Sequence, residues 1–420
     1  MKRLVNPSLS ASLLRNSFIQ FIWWVIFFPG FFSGDSFGAV NIARTGEMTN
    51  AYTASWALYV RIFSFHGHAI GLLTLINGLL LVYSVTRLGY SLFSARAAAI
   101  STFLLTLTPI ISGMGVTLWH DIVMTAGLVL VTAFFINYQK TPADLKSHIY
   151  KDLIPGAVLT SFRPNGLPTL VVFAVIYCGY LAIKKKTSNN EAFPVKQTTK
   201  YAAAAIALTA IITFIGSNLI IGMSPINNLY AQEWMRNDIS CYADTAAGSG
   251  FVEKHIPAIG TTDTWRSSDA CVFLNRAAIT GEEKIAAEKY VPSAWMQLLK
   301  TEPAFILKTH LDRNAYLVPI PISGIPAEPF LHSIIEYKDQ GIEWVFPQVA
   351  EKARIIMRIW NGARGLTGWA GLWALVLLAL VIIRKQKALI PAVAMSIAMI
   401  GILFVVAPIP DGRYALFVLI

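Results

Sequence analysis

Long apolar runs divided by short charged turns constrain this chain more than any other feature. A stretch such as LWALVLLALVII (372–383) contains no charge to place in water. A helix needs about 20 predominantly apolar residues to cross about 30 Å of hydrocarbon, and such stretches recur here. With 55% hydrophobic and only 14% charged residues, the chain has too few charges to cover a water-exposed surface. The mean hydropathy is +0.56. The reading is an all-α polytopic membrane protein.

The apolar runs place spans near 17–33, 68–90, 97–112, 118–138, 151–162, 164–183, 201–222, 366–383, 388–407 and from 413 onward. That makes about ten transmembrane helices. The fifth run holds Pro155 and Gly156 and is expected to be broken. The stretch 52–66 is apolar but carries Arg61 and His66, which suits an interfacial or re-entrant helix. Lys2, Arg3 and Arg15 before the first run resemble the start of a signal peptide. The bulky aromatics and the lack of a small-residue cleavage site favour an uncleaved first span. The last run breaks off at Ile420, so the chain is expected to continue beyond it.

Charge then sets the orientation. Arg87 and Arg96 flank one turn; Lys140, Lys146 and Lys151 surround the next on that side. Lys184, Lys185, Lys186, Lys196 and Lys200 fill the third, and Arg384, Lys385 and Lys387 the fourth. With a cytoplasmic N-terminus all four clusters face the cytoplasm, as the positive-inside rule requires. The net charge of +11 is explained this way, and no nucleic-acid partner is needed.

Three regions follow: an N-terminal transmembrane core, 1–222, with a first outer loop at 33–67; an extracytoplasmic region, 223–365; and C-terminal spans, 366–420. The middle region is mixed in charge. Amphipathic stretches at 281–300 and 349–360 predict helices that lie on the membrane or pack in a small domain. Pro-rich 317–329 predicts an extended connector. Cys241 and Cys271 fall in this outer region and are expected to pair, whereas Cys178 lies inside the sixth span.

Seven acids lie outside that region: Asp35, Glu47, Asp121, Asp144, Asp152, Glu191 and Asp411. Asp144, Asp152 and Glu191 sit at inside ends, and the other four at outer ends. Ionisable groups at hydrocarbon are costly, so those retained there are functional candidates. Asp35 follows the first run directly. Asp121 follows His120 in TLWHDIVM, where a helix-capping acid is the plain alternative. Glu47 sits in a polar loop and reads as solvated. Arg163 in SFRPNGLP and Arg413 in PIPDGRYALF are outer cations against the orientation rule. Each is either a snorkelling anchor or a guanidinium that grips a phosphate. Arg44 and Arg61 stand next in line for that role. His66, His68 and His120 show no metal-ligand spacing; a divalent cation stays open.

An acid after the first span, a second acidic motif heading the fourth, an outer Arg before Asn-Gly, a large outer region and a final Asp-Gly-Arg-Tyr together resemble the GT-C superfamily of membrane glycosyltransferases. The likeness, over roughly 15–222 and 366–420, is nearest to bacterial protein O-mannosyltransferases and lipid A aminoarabinose transferases. His120-Asp121 departs from the family's second motif, where a basic residue often precedes the acid. The resemblance implies a GT-C-like core and an inverting transfer from a polyprenyl-phosphate sugar donor to a lipid, glycan or protein hydroxyl. It makes Asp35 the general base, with Asp121 and His120 orienting it or the acceptor. Arg163 and Arg413 would bind the donor phosphate. A polysaccharide polymerase or ligase and a transporter are the alternatives.

Overall fold

The computed structural model describes residues 7–46, 48–49, 52–140, 144–188, 195–219, 225–226, 233–248, 250–256, 289–318, 342–362, 369–407 and 416–419. These residues are mostly helical. In chain order the helices are α1 (Leu9–Ile26), α2 (Gly34–Thr45), α3 (Ala54–Phe63), α4 (Ile70–Leu92), α5 (Ala95–Leu107), α6 (His120–Lys140) and α7 (Leu145–His148). There follow α8 (Ile154–Thr160), α9 (Gly166–Ser188), α10 (Val195–Leu219), α11 (Glu233–Ala243), α12 (Phe251–His255), α13 (Val291–Thr301) and α14 (Pro303–Arg313). The last are α15 (Pro347–Gly362), α16 (Ala370–Arg384), α17 (Ile390–Val406) and α18 (Leu416–Leu419). A two-residue parallel pair joins β1 (Met48–Thr49) to β2 (Pro225–Ile226).

Among the described residues, four helices are long and apolar enough to cross a membrane: Ile70–Leu92, His120–Lys140, Gly166–Thr187 and Lys387–Val406. Ala95–Leu107 and Ala370–Arg384 are apolar but shorter. α1 is inside out. It buries Ser12, Asn16 and Gln20, one helical turn apart, and exposes Leu14, Phe18, Phe21 and Ile22. A water-soluble helix would do the reverse; lipid on the outside explains it. Asn16 Nδ2 donates to both Thr86 Oγ1 and Thr102 Oγ1 at 3.1 Å, and Ser12 Oγ lies 2.8 Å from Tyr90 Oη. These interhelical hydrogen bonds hold α1, α4 and α5 together where apolar packing alone has no advantage over lipid. Gly78 leaves room for Gln20: a Cβ there would stand 2.3 Å from Gln20 Nε2.

α6 is the central column, buried along nearly its whole length. It meets α8 through small residues; a Cβ on Gly127 would lie 2.6 Å from Thr160 N. The fifth expected span is a π-helical turn, Ile149–Leu153, running into α8 with Pro155 in its first turn. The third likewise ends in a π turn, Pro109–Gly113.

The bundle has two chemically distinct ends. α4, α6, α9 and α16 run in one direction and α1, α5 and α17 in the other, so Arg87, Lys140, Lys185 and Arg384, at or near the C-terminal ends of the first set, fall at one end. The other end carries α2, α3 and α11 to α15. There α11 to α14 enclose their own core around Ile239, Val252, Val291 and Leu298. Asp238 is buried among α11, α13 and α14: Trp295 Nε1 donates to Oδ2 at 2.8 Å, His310 Nε2 lies 2.8 Å from the same atom, and Arg313 Nη2 donates to Oδ1 at 2.9 Å. His310 Nδ1 lies 2.8 Å from the carbonyl of Phe404 in the last turn of α17. Both ring nitrogens therefore lie within hydrogen-bond distance of an oxygen. His310, with Asn314 Nδ2 donating to the same carbonyl at 3.4 Å, ties α11, α13 and α14 to α17. Cys241 is disulfide-bonded and Cys178 is free; Cys271 lies outside the described residues, as do 281–288 and 319–329.

Candidate functional site

The site is built from the end of α1 outward. Phe28–Pro29 is a cis peptide, and Gly30 follows at φ +132°, a conformation that favours glycine. A Cβ there would also meet Thr74 Cγ2 and the Val116 carbonyl at 2.7 Å. This turn lets Phe31 pair with the strand-like residues before α6: Phe31 N donates to Val116 O at 2.9 Å and Leu118 N to Phe31 O at 3.1 Å. Trp119 Nε1 donates to Ser33 Oγ at 2.7 Å. Ser33 then caps α2, with its own N–H donating to Ser36 Oγ at 2.9 Å.

Two helix starts are thereby laid side by side. Asp35 is in the first turn of α2, half-buried, and His120 and Asp121 open α6. Tyr52 spans them. Its hydroxyl donates to the Asp35 carbonyl at 2.7 Å, and its ring meets His120 edge-on with centroids 5.5 Å apart. Gly38 is the space that admits it; a Cβ there would lie 2.4 Å from Tyr52 Oη. Trp56, one turn on in α3, packs on His120 from 5.9 Å.

Asp121 is fully buried and pairs with Arg163; His120 Nδ1 lies 3.9 Å from Asp121 Oδ2. Arg163 comes from the 161–165 turn between α8 and α9. Ser55 Oγ donates to Ser161 O at 2.8 Å, and Phe162 packs on Tyr59 at 4.9 Å, so α3 clamps that turn. Gly166 closes it by donating its N–H to Arg163 O at 3.0 Å. Burial pushes the Tyr59 phenol well above its ordinary range. It stays a neutral donor, 2.8 Å from Asn77 Oδ1.

Four of the five candidate residues thus lie at one end of the bundle: Asp35, His120, Asp121 and Arg163. Arg413 lies outside the described residues, as do Glu47 and Asp411. The reserve cations are placed otherwise. Arg61 Nε donates to His66 Nδ1 at 3.1 Å, and Arg44 is exposed in the last turn of α2. Among the described residues no group of three or more His, Cys, Asp or Glu side chains is arranged to hold a metal.

Sequence reading passed over three features. Tyr52 and Trp56 in the first loop carry no motif. At the opposite end Arg87 grips Asp152 with two hydrogen bonds, Nε to Oδ1 at 2.7 Å and Nη2 to Oδ2 at 2.5 Å, and His148 Nδ1 stands 3.0 Å from Oδ2. In sequence Arg87 and Asp152 are ordinary inside-end charges. A signal was present for Asp238: His310 and Arg313 are three apart on one helix, so they share a face.

Chemically, the end with Asp35 offers a partly accessible carboxylate in the first turn of a helix, an imidazole held between aromatic rings and a buried carboxylate–guanidinium pair. Such a set can take a proton from a hydroxyl and hold an anion nearby. No family model matches the chain, no curated protein matches it, and no solved structure matches it.

Proposed function

We propose that the chain is a membrane glycosyltransferase of GT-C type, working at the outer face of the cytoplasmic membrane. It moves a sugar from a polyprenyl phosphate to an acceptor hydroxyl. One observation carries this reading beyond the motifs. The Phe31–Thr117 bridge and the Tyr52 contacts gather Asp35, His120, Asp121 and Arg163 at the end opposite Arg87, Lys140 and Lys185. By the positive-inside rule that end faces outward, where lipid-linked sugars are presented.

In the proposed step the Asp35 carboxylate takes the acceptor's hydroxyl proton. The oxygen attacks the anomeric carbon, and the bond from that carbon to the phosphate oxygen breaks. The electron pair leaves with the polyprenyl monophosphate. One displacement inverts the anomeric centre. Arg163, held in place by Asp121, turns its remaining N–H donors to the phosphate as charge develops, and Arg413 supplies a second guanidinium. His120 orients Asp35 or the acceptor.

A transporter is the second reading. The observation in its favour is the buried Arg87–Asp152–His148 cluster at the far end, with π turns at Pro109–Gly113 and Ile149–Leu153. Lipid extraction separates the two. Cells lacking the chain should accumulate one polyprenyl-phosphate sugar, identified by mass spectrometry, and that sugar names the donor. An unchanged set of lipid-linked sugars would remove the transferase reading.

A further inference from the structure

Among the described residues α15 is packed on one side only. Ala350 and Met357 face the bundle, and Met357 Cε lies over the π turn, 3.0 Å from where a Cβ on Gly113 would stand. The residues just before the helix are tied to the turn that leads to Asp35. Val345 N donates to Phe28 O at 3.0 Å, and Trp344 Nε1 donates to Gly30 O at 3.1 Å. On the opposite side Ile355, Ile356 and Ile359 are 59%, 47% and 69% exposed. Apolar side chains at this spacing form one patch on the helix surface. Arg354 is engaged with Glu351 at 2.8 Å and lies over the Trp344 ring. Lys352 and Arg358 are exposed beside the patch, one turn before Ile356 and one residue before Ile359.

Position says what covers this patch. α15 sits against the end of α1, whose outward face is already apolar through Phe18, Phe21 and Ile22. Ala353, Met357 and Trp360 of α15 share one packed cluster with Trp23 and Ile26 at the end of α1, so the two apolar helices adjoin there. An apolar stripe with long basic side chains at its edges suits the boundary between acyl chains and headgroups, because Lys and Arg stems lie along apolar surface while their charges reach phosphate.

We propose that α15 lies in the membrane interface, with Ile355, Ile356 and Ile359 on the upper acyl carbons and Lys352 and Arg358 on phospholipid phosphates. Through Trp344 and Val345 it holds the Phe28–Gly30 turn, and so the start of α2 with Asp35, at headgroup depth. This placement does not depend on Asp35 transferring sugar. It does restrict the site to a reacting group carried at a lipid headgroup.

The test uses the full chain in nanodiscs of phosphatidylethanolamine and phosphatidylglycerol. These are doped with a phospholipid bearing a diazirine on an upper acyl carbon, irradiated, digested and mapped. Lipid adducts on the peptide holding Ile355, Ile356 and Ile359 are expected in the parental protein. A fluorophore on Ile356→Cys, in a Cys178→Ser background, should be quenched by spin-labelled lipid and spared by aqueous iodide. No adducts together with iodide quenching would put the patch in water. No adducts with shielding from both quenchers would mean that protein covers it, from this chain or a second copy. Either result overturns the proposal.

Discussion

Tyr52 donates a 2.7 Å hydrogen bond to the main-chain carbonyl of Asp35 while its ring rests on His120. One side chain thus fixes the first turn of α2 against the first residue of α6. Tyr52→Phe keeps the ring and removes the bond, so it should cost about 0.5–1.5 kcal/mol of stability. Gly38→Ala displaces the same hydroxyl by steric contact. If the bond is the common cause, the double variant loses less than the sum of the two. Thermal unfolding in detergent, read as a double-mutant cycle, measures this; strict additivity would mean that the two act separately.

The Asp121–Arg163 pair should behave as a buried pair. Removing one partner, as in Asp121→Asn or Arg163→Met, leaves an uncompensated charge or donor and should cost about 3–5 kcal/mol. Removing both together should recover much of that loss. If Arg163 also contacts phosphate, the double variant regains stability and membrane level but not sugar transfer. A double variant with parental transfer would make the pair purely structural.

At the far end, Arg87→Lys keeps the charge but loses the two-pronged grip on Asp152. It should lower the unfolding temperature nearly as much as Arg87→Ala, because a lysine cannot reproduce the planar fork. Lipid-linked sugar use should be unaffected at equal protein level. Lost transfer in a well-folded Arg87→Lys protein would favour the transport reading.

His310→Phe removes the link from Asp238 to the Phe404 carbonyl without emptying the space. Hydrogen exchange should rise across α11, α13 and α14 and in the last turn of α17, and stay unchanged in α6. Uniform exchange across the whole chain would mean that the contact does not hold the region as a unit.

The sequence displays long spans where apolar runs are continuous, and α4, α6 and α9 lie within a few residues of their expected bounds. The first span was expected at 17–33; the helix there is Leu9–Ile26, which is not among the four long and apolar enough to cross. Ser12, Asn16 and Gln20 break the apolar run, yet inside a bundle those positions are where polar side chains find partners. About ten spans were expected and four helices meet the length and apolarity needed among the described residues: α5 and α16 are short, the fifth is divided by a π turn, α1 and α10 fall outside the four, and most of the tenth lies outside the described residues. The gathering of Asp35, His120, Asp121 and Arg163 at one end was legible because each sits at the end of an apolar run. Their pairings were not. Which carboxylate meets which guanidinium depends on how α3 clamps the 161–165 turn, and Tyr52 acts through a main-chain carbonyl that no motif marks.

The role of Asp35 is the centre of the account, and the lipid-linked sugar pool reports on it most directly. In cells lacking the chain, the parental gene should restore a normal pool and Asp35→Asn should not, although the variant reaches the membrane at the same level and unfolds at the same temperature. Asparagine keeps the shape of the side chain and its place in the first turn of α2, but it cannot take the acceptor's proton. A pool restored to normal by Asp35→Asn would contradict a general base at this position.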